Sequence, residues 1–121
     1  MRFHLPRLCV AIVLTLWGVM AQAGMELVMV EQPGCIYCER WDQDVATEYP
    51  LTDEGKAAPL RRIQLRAPVP EGLRLDRPAV FTPTFILIRD GVEVDRIEGY
   101  PGEDFFWGLL ARMIADAGPA G

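Results

Sequence analysis

Apolar residues along this chain follow two rhythms, and the switches between them mark the elements. Met25–Glu31 is a short apolar run closed by Gln32-Pro33-Gly34, the length and the breaker of a buried strand. From Cys35 the period lengthens. Cys38, Trp41, Val45 and Tyr49 recur at spacings of three, four and four, which predicts one helix face over 35–49, ended by Pro50. Residues 51–59 are polar and hold Gly55, a connection with room for one helical turn. In 60–66, Ile63 and Leu65 alternate with Arg62, Gln64 and Arg66, which predicts a strand. Residues 67–82 carry Pro68, Pro70, Gly72 and Pro78 and read as loop, with a short helical piece over 71–75. Thr84–Arg89 is apolar on both faces and fits a central strand. Asp90-Gly91 is a two-residue hairpin signal leading into Val92–Glu98. Val92 and Val94 share a face there while Ile97 has the other parity, so a bulge is expected near Asp95 and Arg96. After Gly99-Tyr100-Pro101-Gly102, Glu103–Ala117 reads as a helix with Phe106, Leu109, Leu110 and Met113 inward, stopped by Gly118-Pro119. This order predicts an α/β fold. A βαβ unit with parallel strands is followed by a ββα unit, giving a central mixed sheet with flanking helices.

The segment before the first strand changes the picture. Arg2 and Arg7 open the chain, 8–21 is uncharged, and Ala21-Gln22-Ala23 offers small residues at a cleavage site. This pattern predicts a secretory signal peptide over 1–23, with one domain over 24–121 released into an oxidising, periplasmic compartment. The uncharged run is shorter than the roughly 18–20 residues that span a bilayer. His4 and Cys9 leave with the signal, so Cys35 and Cys38 remain as the cysteines. At 121 residues the whole chain has room for one domain. Its formal net charge of −5 speaks against a phosphate-tracking nucleic-acid partner.

Cys35-Ile36-Tyr37-Cys38 lies where the first strand turns into the first helix. At a helix N-terminus the unpaired backbone N–H groups favour an anion, and the thiolate is the attacking species in disulfide exchange. Cys38, one turn later, falls on the buried face. An exposed nucleophile with a sheltered partner suits a redox pair in which Cys35 attacks and Cys38 resolves. A static disulfide staple stays open beside this reading, although a loop closing two intervening residues stabilises little. Zinc and iron–sulfur sites lack ligands, and Glu39 stands where haem attachment needs a histidine. No metal or cofactor is expected. Trp41 reads as core, Tyr37 as an exposed ring able to touch a substrate, and Phe105 and Trp107 as a partly buried helix flank. The rival function is a binding module that uses the pair only as a staple.

Thr82-Pro83-Thr84 is the second signal, since a proline cannot sit inside a central strand and must stand at its mouth. With the CxxC pair it carries a resemblance to the thioredoxin-fold thiol–disulfide oxidoreductases. Within that class the chain resembles the small periplasmic thioredoxin-like proteins of bacterial sulfur-oxidation (Sox) systems, the SoxS type. The matching stretches are Pro33-Gly34-Cys35-Ile36-Tyr37-Cys38, Tyr49-Pro50-Leu51-Thr52, Phe81-Thr82-Pro83-Thr84-Phe85 and Glu98-Gly99-Tyr100-Pro101-Gly102-Glu103-Asp104-Phe105-Phe106. The resemblance implies a Cys35–Cys38 redox disulfide, a cis peptide before Pro83, and a substrate contact at Thr82. It further implies a reductant of a sulfur-carrier protein's disulfide or modified thiol, fed by a membrane thiol donor of the CcdA or DsbD kind. An exported oxidase or isomerase is the alternative on the same fold, and a monomer is expected. One departure stands out. Met29 lies six residues before Cys35, where many thioredoxins carry a buried acid, and Glu31 lies two residues further on.

Overall fold

The computed structural model describes residues 24–118. The expected signal peptide and Pro119 lie outside the described residues. Among the described residues no helix is long and apolar enough to cross a membrane.

Strand β1 (Met25–Glu31) leads into helix α1 (Ile36–Trp41), which widens into a π-helical turn over Asp42–Ala46. A 3-10 turn at Tyr49–Leu51 and helix α2 (Asp53–Ala57) return the chain to strand β2 (Leu60–Gln64). Strands β3 (Thr84–Arg89) and β4 (Val92–Glu98) form the hairpin, and helix α3 (Glu103–Ala117) closes the chain. The sheet order is β2-β1-β3-β4. β1 and β2 run parallel, while β1–β3 and β3–β4 are antiparallel. The expected βαβ and ββα units are therefore present in one mixed sheet.

The apolar runs of β1 and β3 are explained by burial on both sheet faces. Alternate residues Leu27, Met29, Phe85 and Leu87 face the helices and join Cys38, Trp41, Val45, Tyr49, Phe106, Leu110 and Met113 in one core. Val28, Val30, Ile86 and Ile88 face the other way. No helix covers that second face among the described residues. The connection over 65–83 covers it instead, laying Leu65, Leu73, Leu75 and Ala79 against it beside Ile63 of β2.

Several expectations are corrected. The helix expected over 35–49 is not one regular helix. Eight residues of ideal α-helix overshoot two turns by about 80°, so Tyr49 would rotate away from Trp41. The wider π turn takes up that rotation and keeps Trp41, Val45 and Tyr49 all buried. Pro50 does not terminate a helix but sits inside the 3-10 turn, at a position that needs no N–H donor. β2 ends at Gln64, since the chain turns there with Ala67 N–H bonded to Gln64 O. The short helix over 71–75 is absent. Glu71 and Gly72 form a turn there, with Leu73 N–H bonded to Pro70 O at 3.3 Å, and Arg74 makes a parallel bridge with Val92, which shields the outer edge of β4. The bulge falls at Val94, one residue earlier than expected: Ile88 pairs with Glu93 and Leu87 with Asp95. Val92 and Val94 are both exposed. Leu109 is 40% exposed, because it lies at the edge of the stripe made by Phe106, Leu110 and Met113. The hairpin at Asp90 and Gly91 takes positive φ at both residues (51° and 81°), as a type I′ turn requires.

Candidate functional site

Register decides where the site forms. Val30 pairs with Thr84 in the antiparallel β1–β3 ladder, and Thr84 pairs with Glu98 in β3–β4. The chain leaving β1, the chain entering β3 and the chain leaving β4 therefore meet at one end of the sheet. Those three segments carry Cys35–Cys38, Thr82–Pro83 and Gly99–Tyr100.

Cys35 is the N-cap of α1, in an extended conformation (φ −81°, ψ 104°). Its Sγ accepts a hydrogen bond from Cys38 N–H at 3.2 Å, one of the backbone donors that a helix start leaves without an internal partner. Cys35 O accepts from Glu39 N–H at 3.1 Å and so closes the first turn. Cys35 and Cys38 form a disulfide with their Cα atoms 5.2 Å apart. Cys35 is half-buried, whereas Cys38 is 5% exposed and packs in the helix-side core with Trp41 and Met29. Of the two sulfurs, the cap is the accessible one.

The Thr82–Pro83 peptide is cis, and Pro83 is buried. Pro83 O accepts from Gly99 N–H at 2.7 Å, and the Thr84 hydroxyl donates to Phe81 O at 2.8 Å. Thr82 is half-buried, and its Oγ1 accepts from the Gln32 side-chain amide at 2.8 Å. Tyr37 is 54% exposed beside Cys38, with the Arg40 guanidinium 5.3 Å over its ring. Ile36 and Phe81 are also exposed on their respective segments, giving the site an apolar rim. The expected residues Cys35, Tyr37, Cys38, Thr82 and Pro83 thus lie at one end of the sheet. Among the described residues no cluster of three or more His, Cys, Asp or Glu side chains could hold a metal ion.

The layer beneath the pair joins Met29, Glu31 and Trp41, which sequence reading noted, to Arg62 and Asp42, which it did not pick out. Met29 is fully buried in the cluster of Cys38. Its partner in the β1–β2 ladder is Arg62, whose Nη1 stands 3.7 Å from Met29 Sδ. The same guanidinium bonds Glu31 at 2.7 Å and Asp42 at 2.6 Å, and lies 5.5 Å over the Trp41 ring. Partial burial alone would lower the Arg62 pKa, but the hydrogen bonds and charges of Asp42 and Glu31 outweigh it and raise it. Glu31 is therefore engaged as an ion-pair partner. Trp41 is fully buried against Tyr49, Phe85 and Phe106, as expected of a core residue, and its Nε1 has no hydrogen-bond partner among the described residues. Tyr100 donates to Asp44 Oδ2 at 2.7 Å; burial and this carboxylate push its hydroxyl pKa up. Gln32, Arg62 and Asp42 sent no sequence signal because their partners are 20 to 50 residues away and depend on strand register.

Residues 20–114 match the thioredoxin-like domain family. The chain is 34% identical over 94 residues to a disulfide bond formation protein of Brevibacillus choshinensis, covering 72% of this chain and 73% of that protein. It is similar to the reduced periplasmic thioredoxin SoxS of Paracoccus pantotrophus at 61% identity, covering 77% of this chain and 98% of that one, with a TM-score of 0.76. The Fasciola hepatica thioredoxin shares the fold at 19% identity, covering 75% and 82% of the two chains, with a TM-score of 0.52.

Proposed function

The chain belongs to the thioredoxin-like domain family and is a thiol–disulfide oxidoreductase, and from that premise we propose that it reduces protein disulfides outside the cytoplasm through Cys35. One observation carries the reading: an accessible sulfur caps α1, bonded to a buried sulfur one turn on. In the dithiol form the Cys35 thiolate attacks one sulfur of a substrate disulfide. A mixed disulfide forms, and the substrate's other sulfur leaves as a thiolate. The Cys38 thiolate then attacks Cys35 Sγ, releases the second substrate thiolate and leaves the Cys35–Cys38 disulfide. The substrate gains two electrons and the protein loses two, and an external dithiol must restore them. Backbone N–H groups at the start of α1 favour the attacking anion. Tyr37, Thr82 and Pro83 form the surface on which the substrate cysteine is laid.

The 61% identity to SoxS supports a finer reading. In it, residues 1–23 are a cleaved signal, the protein works as a periplasmic monomer, and its substrate is a disulfide or modified thiol of a sulfur-oxidation carrier protein. Its electrons then come from a membrane donor of the CcdA or DsbD type. The test is reduction of insulin by the pre-reduced protein. Wild type should react, and Cys35→Ser should lose the reaction. Cys38→Ser should hold a substrate as a stable mixed disulfide, and mass spectrometry of the trapped partner from periplasmic extracts identifies it. Equal rates for wild type and Cys35→Ser would end this reading.

The Brevibacillus relative favours a second direction, net oxidation. Redox titration separates the two. A midpoint near about −270 mV goes with reduction, and one near about −120 mV with oxidation.

A further inference from the structure

Gln32 belongs to neither cysteine-bearing helix nor proline loop, yet it is bonded to both. Its backbone O accepts from Cys35 N–H at 3.3 Å and closes the turn that delivers the attacking sulfur. Its side-chain Nε2 donates to Thr82 Oγ1 at 2.8 Å, across 50 positions of sequence. Both residues are half-buried, so this bond is partly shielded from competing water. The rest of the proline loop is anchored elsewhere: Pro83 O to Gly99 of the β4 exit, and Phe81 O to the Thr84 hydroxyl at the start of β3. Those bonds hold the loop to β3 and β4. The Gln32–Thr82 bond ties it to the segment that carries Cys35.

We propose that Gln32 is a positioning residue that sets the gap between Cys35 and the Thr82–Pro83 backbone, and thereby the selectivity for extended protein segments over small disulfides. The proposal rests on the reading of Cys35 as the attacking sulfur. A polypeptide disulfide must present its sulfur to Cys35 while its flanking chain lies along Thr82 and Pro83. A loop free to drift by a fraction of an ångström loses that alignment. A small disulfide has no flanking chain, so its attack depends on Cys35 alone. Gln32 touches neither substrate nor sulfur through its side chain and acts only through Thr82.

The experiment is single-turnover oxidation of the pre-reduced full chain by insulin and, separately, by 2-hydroxyethyl disulfide. The readout is the ratio of the two second-order rate constants. Gln32→Ala should lower the insulin-to-small-disulfide ratio by about three- to tenfold, the size expected for one lost hydrogen bond. Thr82→Val, which removes the acceptor, should lower it by a similar factor, and the double variant should fall no further than either single one. A ratio within about twofold of wild type in Gln32→Ala overturns the proposal, whether both rates drop or neither does. Multiplying effects in the double variant overturn it as well. Failure of the oxidoreductase reading looks different: wild type itself then reacts with neither disulfide.

Discussion

Cys35 and Cys38 are three positions apart but live in different surroundings. One caps α1 at the protein surface, and the other sits in the aromatic core. After reduction Cys35 should be alkylated by iodoacetamide well before Cys38. Its thiolate absorbance should appear below the pKa of about 8.5 of a free thiol. Similar alkylation rates for the two sulfurs would contradict this assignment. Gly55 is the second position where one atom decides the outcome. Its N–H donates to the Thr52 hydroxyl that caps α2, and a Cβ there would stand 1.7 Å from Tyr49 O. The 3-10 turn and α2 must therefore separate if the residue grows. Gly55→Ala should cost about 3 kcal/mol, the upper range for overpacking, read as a lower urea midpoint. At this scale the cysteines and Thr82–Pro83 were legible because each has a chemical or backbone reason tied to its own neighbours. Gln32 and Arg62 were not, because an amide or a guanidinium says nothing of a partner across the fold.

The element that departs most from expectation is the connection over 65–83. Its prolines mark most of it as loop, but nothing in it announces that it seals a whole sheet face. A buried ion pair on β4 helps to fix it there. The Glu93 side chain is 1% exposed and the Arg96 side chain 6%, with Nε 2.5 Å from Glu93 Oε1. Asp76 N–H donates to Glu93 Oε2 at 2.7 Å, and Arg96 Nη2 donates to Arg77 O at 2.8 Å. Burial pushes the Glu93 pKa up, but the Arg96 hydrogen bonds, the Asp76 amide and the Arg96 and Arg77 charges outweigh it and hold the pKa below its ordinary value of 4.5. A depressed carboxyl pKa means stability that is present above the unfolded value and lost as pH falls through the lower folded value. Acid should therefore loosen this connection below about pH 4.5. Glu93→Gln should flatten that pH dependence and cost about 3 kcal/mol at neutral pH, because Arg96 keeps its charge in a buried site. Urea midpoints measured across the acid range check both parts, and an unchanged slope would remove Glu93 from the account. The bulge at Val94 belongs to the same device. Parity along β4 revealed that a residue had to be inserted, while pairing against β3 decided which one.

Over the whole molecule, the aromatic side chains bind the helices to the sheet. Phe106 of α3 meets Phe85 at 4.9 Å, Trp41 at 5.7 Å and Trp107 at 5.4 Å between ring centroids, and Trp107 stacks on Tyr49 at 5.9 Å. One ring thus links β3, α1 and α3. Phe106→Ala should cost about 3–5 kcal/mol and lower the melting temperature of oxidised and reduced protein alike, since the cavity would lie in the shared core. The Cys35–Cys38 bridge closes only two intervening residues, so its loss removes little chain entropy. Far-UV circular dichroism of the two redox states should superimpose. A reduced state that lost helix would make the pair a structural staple after all.

The sequence by itself determined the order and type of the principal elements, the positions of Cys35, Cys38 and Pro83, and the class of chemistry they suit. Those features follow from local causes: periodicity of apolar residues, turn chemistry at Asp90-Gly91, and a proline that must stand before a strand. Only the tertiary structure decided that a π turn realigns Tyr49 with Trp41, that a loop covers the second sheet face, and that Gln32 reaches Thr82. Each of these depends on which strands pair and in what register. Register is chosen by the summed burial of both sheet faces, a quantity that no short window of sequence contains.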